Sequence, residues 1–170
     1  MRKVGTNVKM KSESQEIVRE IFEFLKSDFD FQRPVESNIA YERHLTFSND
    51  KFQIDFSDEG DWSFPSITIK HNKKNFVPLP AVWFKPAGLQ HEIATDYRKP
   101  RNLRWLSKVD QKTLDCSSYP LTQEIIENVD DSFQARGQKI IAIYLLVTAN
   151  ALKSNMNEIP SLFENPIFDS

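Results

Sequence analysis

The chain has 170 residues and 19.8 kDa, with 39% hydrophobic and 12% aromatic residues, enough material for one packed core and too many rings for a disordered chain. Twenty-two basic residues against 24 acidic ones leave a formal charge of −2, which argues against a dedicated polyanion binder. One cysteine, Cys116, excludes an internal disulfide and a thiolate-rich zinc site; four glycines in neither G-x-G-x-x-G nor G-x-x-x-x-G-K-[ST] order exclude the common phosphate cradles.

Residues 1–11 read as a basic, polar tail with Arg2, Lys3, Lys9 and Lys11 and no apolar run of the secretory kind. Ser12 and Gln15 stand at capping-box spacing, and Ile17, Ile21, Phe24 and Leu25 recur at helical intervals, with Val18 and Phe22 widening the stripe. Residues 27–33 end that helix ahead of Pro34. From Asn38 the period becomes two. Tyr41, Leu45 and Phe47, then Phe52, Ile54 and Phe56, then Ile67 and Ile69 alternate with polar residues around turns at 48–50 and 57–61. These segments predict a three-stranded antiparallel meander with one buried and one wet face. Pro65, placed in the third strand, points to an edge or a bulge, and residues 76–84 are extended, a fourth strand weakened by Pro78 and Pro80.

Residues 85–100 show no period. Leu103, Leu106, Val109 and Leu114 suggest a short helix, and Pro120 precedes another that carries Ile125, Ile126 and Val129. A long helix is expected over 131–153; its β-branched residues admit a buried strand instead, but Ala142, Ala149, Ala151 and Leu152 favour helix. Its run Ile140–Val147 is far short of the ~20 apolar residues of a bilayer span. After Asn155 the chain reads as a tail, about 156–170, that docks through Leu162, Phe163 and Phe168. The expectation is a single α+β domain over 1–170: an N-terminal helix, a three- to four-stranded antiparallel meander and a helical C-terminal half.

No motif names a reaction, so no catalytic residue, metal ligand or cofactor is assigned. His44, His71 and His91 lack metal-ligand spacing, and Cys116 sits where a small inter-helix loop residue would. Asp55, Asp58, Glu59 and Asp61 crowd one turn but break the calcium-loop pattern, so they read as solvated charges. Two surfaces suit partner binding, because tryptophan, tyrosine and arginine dominate interface energetics. One is Asp58, Glu59, Asp61 and Trp62; the other is Tyr97, Arg98, Arg101, Arg104 and Trp105, at the start of a basic stretch over 98–112 that Tyr97 adjoins. Trp83 and Phe84 beside Pro86 are a further candidate pair, against the plainer reading that each ring covers an end of the core.

Phe22-x-x-Leu25, Phe29-x-Phe31, Tyr41, the run Phe52–Phe56 and Ile67-Thr68-Ile69 resemble the first 70 or so residues of small bacterial immunity-like proteins encoded beside toxin or defence genes. The resemblance rests on hydrophobic spacing and carries over no site residue. It implies a non-enzymatic cytoplasmic protein that binds and occludes a protein partner, such as a toxin or a defence-system subunit. Two alternatives stay open: a nucleic-acid-binding or nuclease-associated protein using the 98–112 stretch, and a hydrolase whose histidines and carboxylates meet only on folding. Neither a membrane partner nor an oligomeric state is indicated.

Overall fold

In a computed structural model, the described residues are 13–60, 62–71, 76–80, 82–84 and 115–163. Helix α1 (Glu13–Ile21) buries Ile17, Val18 and Ile21 and turns its charged side outward. A single helix cannot point Ile21, Phe22, Phe24 and Leu25 all inward, since they span more than one apolar stripe. The chain breaks at Phe22–Glu23 and restarts as α2 (Phe24–Phe29), which buries all four side chains. The helical segment is thus two pieces. It ends on Asp30 in the left-handed conformation (φ 59°), whose N–H bonds Leu25 O.

Five antiparallel strands follow in sequential order: β1 (Val35–Ile39), β2 (Glu42–Ser48), β3 (Phe52–Asp58), β4 (Ser66–His71) and β5 (Val77–Pro78). The register sets Leu45 opposite Phe56 and Phe47 opposite Ile54, which in turn face Ile67 and Ile69, so one face is apolar and buried. The other face carries Ser37, His44, Thr46, Asp55, Ser57 and Thr68. The meander read from the alternation is therefore present, with three corrections. A first strand, β1, was missed because all five of its residues are exposed and it lacks a buried face to alternate against. Tyr41 belongs to the β1–β2 turn, 95% exposed, and not to a strand. Pro65 lies before β4 and is buried, and β4 is covered on both sides by β3 and β5, so it is neither bulged nor an edge for want of a donor. Of the segment expected to be extended over 76–84, only Val77 and Pro78 pair as strand, and residues 82–84 form a 3-10 turn, as the prolines leave too few N–H donors for a longer ladder.

The C-terminal half is helical where described: α3 (Pro120–Ile126), α4 (Phe133–Ser154), a 3-10 turn (Met156–Glu158) and α5 (Ile159–Leu162). Val129 falls beyond α3 and is solvent-exposed. The run around residue 140 is helix, with Ser132 capping it by accepting from Ala135 N at 3.2 Å. The stretch expected as a tail is helical over Met156–Leu162, and Ile159 and Phe163 dock in the core, as expected for Phe163; Phe168 lies outside the described residues. α1 packs on α3 and α4. The two layers lock together at Phe22, whose ring meets Phe56 edge-on at 4.6 Å, and at His71, whose ring lies between Phe52 (4.9 Å) and Phe163 (5.2 Å). Trp83 and Phe84 are both buried in the core, so of the two readings open for this pair the plainer one holds. No helix among the described residues is long and apolar enough to cross a membrane.

Candidate functional site

In a meander, alternate turns lie at the same end of the sheet. The β1–β2 turn (Ala40–Tyr41) and the β3–β4 connection (residues 59–65) share one end, because Ile39 pairs with Glu42 and Arg43 pairs with Asp58. Backbone strain collects there. Ala40 has φ 55° and Trp62 φ 60°, left-handed values disfavoured for any side chain and worst for a bulky one. Gly60, at φ 154°, has open space around it and gives the second turn the freedom it needs.

The same end presents an exposed apolar and acidic surface. Ile39 is 61% and Tyr41 95% exposed, and Glu42 and Glu59 are exposed beside them. Trp62 is half-buried and leans on the core, so only part of its indole faces solvent. Asp58 has a different task. Its carboxylate accepts from Arg43 Nε (2.8 Å) and Nη2 (3.2 Å) and from Gly60 N (3.1 Å), and its side chain is only 12% exposed. It anchors the turn from beneath, and Arg43 continues to Ser14 on α1 at 3.3 Å. Thus of the first predicted cluster Glu59 is surface, Trp62 is half-surface, and Asp58 positions them; Asp61 lies outside the described residues. So do Tyr97, Arg98, Arg101, Arg104 and Trp105 of the second cluster, and His91. Sequence reading missed Ile39, which stands in register with Val35 and Ser37 on one side of β1; the two-residue step after Pro34 is the signal that locates them.

Folding does gather one histidine with carboxylates. His44 Nδ1 lies 2.8 Å from Asp55 Oδ2, and Thr46 donates to Asp55 Oδ1 at 2.8 Å. A carboxylate only accepts, so the hydrogen sits on Nδ1. His44 Nε2 is shielded from solvent, 3.3 Å from Glu42 Oε2 and without hydrogen-bond geometry. A general base must reach a substrate proton, and a shielded Nε2 does not. The cluster instead satisfies Asp55, which is only 7% exposed on the outer face of the sheet. Among the described residues no three histidine, cysteine or acidic groups are placed to hold a metal ion.

Cys116 sits in the loop before α3. Burial pushes its thiol up, and the Glu127 carboxylate adds to the effect; Tyr119 is raised likewise by burial and then by Glu20. A nucleophilic thiol needs the opposite shift. Both groups are held neutral in the folded chain, whereas the unfolded thiol and phenol ionise at about 8.5 and about 10. Their contribution to stability is therefore complete below those values and lost as pH rises through the higher folded ones. The urea midpoint should fall on the alkaline side of about pH 9, and less steeply in Cys116→Ala. At neutral pH a thiol reagent should modify native Cys116 far more slowly than the unfolded chain.

Compared with known protein families, with curated proteins and with solved structures, the chain matches none.

Proposed function

We propose that the protein is a non-enzymatic, cytoplasmic protein-binding protein of the immunity-like or defence-associated kind, which occludes its partner by laying the strained end of its sheet against it. The observation that supports this reading is the concentration at that end of exposed apolar side chains, Ile39 and Tyr41, on a hairpin tip flanked by the carboxylates of Glu42 and Glu59. Apolar anchors ringed by charge suit a protein interface, where aromatic side chains hold the complex and charge speeds encounter. An acidic rim favours a basic partner surface. The rigid sheet beneath, fixed through Arg43 and Asp58, holds the tip in shape before binding, so little order has to be gained on contact. The basic 98–112 stretch belongs to the proposal on its charge alone.

The test is affinity capture from the native host with the wild-type chain and with Tyr41→Ala, followed by calorimetry on the protein retained. Tyr41 is almost wholly exposed, so the variant folds normally. Loss of an aromatic anchor should weaken the complex by about thirtyfold, roughly 2 kcal/mol. Equal affinity for Tyr41→Ala and Glu59→Lys would reject this surface. Binding to DNA or RNA that weakens steeply with salt would favour the nucleic-acid alternative instead.

A further inference from the structure

The two edges of the sheet are built differently. The β5 edge is two residues long and contains Pro78, which lacks an N–H; short length and proline are standard protections against strand addition. The β1 edge has neither. It is a regular five-residue strand, Val35-Glu36-Ser37-Asn38-Ile39, exposed along its whole length, pairing on one side with β2. Only one of its residues is charged, and that charge is already matched: Arg19 Nη2 holds Glu36 Oε1 at 2.7 Å.

The direction of its free backbone groups follows from the turn. In a two-residue hairpin the residues flanking the turn exchange N–H···O bonds, and the pattern alternates from there. Ile39 flanks the turn opposite Glu42, so Val35, Ser37 and Ile39 direct their backbone groups to β2. Glu36 and Asn38 direct theirs away from the sheet.

We infer that the β1 edge pairs with β1 of a second copy, antiparallel about a two-fold axis through Ser37, joining two five-stranded sheets into one of ten. In that register Glu36 of each copy faces Asn38 of the other, and the outward N–H and C=O groups of these residues complete four hydrogen bonds. Ser37 meets Ser37 as a close, non-hydrogen-bonded pair, where a small side chain fits on the axis. Val35 meets Ile39 twice on the outer face, covering side chains that are 63% and 61% exposed in the single chain. Like charges do not stand opposite each other anywhere in the five pairs. A strand whose pattern reads the same from both ends, apolar–polar–small–polar–apolar, is self-complementary, as a two-fold interface requires. Because the strands run antiparallel, the two hairpin tips at Tyr41 end up at opposite ends of the joined sheet, so one dimer presents two Tyr41 tips with their Glu42 and Glu59 carboxylates, while Ile39 passes from the binding surface into the pairing. The pairing itself does not depend on that surface being functional.

Five residues make a small interface, so dissociation on the order of micromolar or weaker is expected. Sedimentation of the full chain over low to several hundred micromolar should show the mass rising from one copy to two. Ser37→Lys puts two ammonium groups face to face on the axis and should weaken the dimer at least about tenfold, with an unchanged circular dichroism spectrum because Ser37 is exposed in the single chain. Mixing Ser37→Lys with Ser37→Glu should restore association between the two variants. Under mild oxidation Ser37→Cys should give a covalent dimer through residue 37, as buried Cys116 is out of reach. A wild-type chain that stays monomeric across the range, or a Ser37→Lys chain that dimerises as wild type does, would overturn the inference.

Discussion

Replacing Phe22 with alanine is expected to lower folding stability by about 3–5 kcal/mol, read as a drop in the urea midpoint at unchanged slope. The residue has no exposed surface, packs edge-on against Phe56 at 4.6 Å and lies 5.9 Å from Phe24, so it bridges the helical break to the sheet. Truncation removes the transfer free energy of the ring and leaves a cavity between two layers that cannot both close on it. A domain of this size is stable by only about 5–15 kcal/mol, so the variant should be close to unfolding at physiological temperature. Phe22→Leu, which keeps most of the volume, should recover more than half of the loss. If Phe22→Ala lost less than about 1 kcal/mol, the break at residues 22–23 would not be the junction described here.

Glu20→Ala should destabilise by about 2–3 kcal/mol, because it strips the N-terminus of α3 of its cap. Pro120 takes the first helical position, where a missing N–H does no harm, and Tyr119 supplies no side-chain cap. Glu20 does so from α1, accepting from Leu121 N (2.9 Å), Thr122 N (2.9 Å) and Thr122 Oγ1 (2.7 Å). Thr122 is fully buried, so alanine at position 20 leaves an N–H and a hydroxyl without partners or water. Glu20→Gln keeps an acceptor and removes the charge, and should cause roughly half the loss. It has a second readout. Glu20 is one of the groups that raise Tyr119, so the phenol in Glu20→Gln should titrate lower than in the wild type, yet stay above its ordinary range because burial is the larger cause. A tyrosine titration unmoved by the substitution would separate the cap from Tyr119.

The strands β2, β3 and β4 were legible because each buries one face, and burial writes period two into the sequence: Leu45 and Phe47, Ile54 and Phe56, Ile67 and Ile69. β1 buries neither face, so nothing in its composition had to alternate. The long helix α4 was legible from an apolar run whose alanines tip it from strand, whereas its cap Ser132 was not singled out and emerges only from the structure. Trp83 and Phe84 stayed undecided between surface and core, because nearby prolines signal a surface segment while large rings favour burial, and only the fold shows both rings buried. The candidate surface was half legible. Glu59 and Trp62 stand at a turn that Ser57, Asp58 and Gly60 announce, but Asp58 was taken for a free carboxylate, since its partner Arg43 is fifteen residues away in the chain.

By itself, then, the order of residues determined which segments bury surface and with what period, because the hydrophobic effect acts on each segment's own pattern of apolar side chains. Only the tertiary structure decided which polar groups find each other, since Arg43 with Asp58, His44 with Asp55 and Glu20 with the start of α3 are brought together by strand register and helix packing. It also decided that the Tyr41 tip shares an end of the sheet with Trp62 and that β1, among the described residues, is paired on one side only. Hydrogen bonds and ion pairs act over about 3 Å, and no spacing along a chain encodes a distance that short between residues far apart in it.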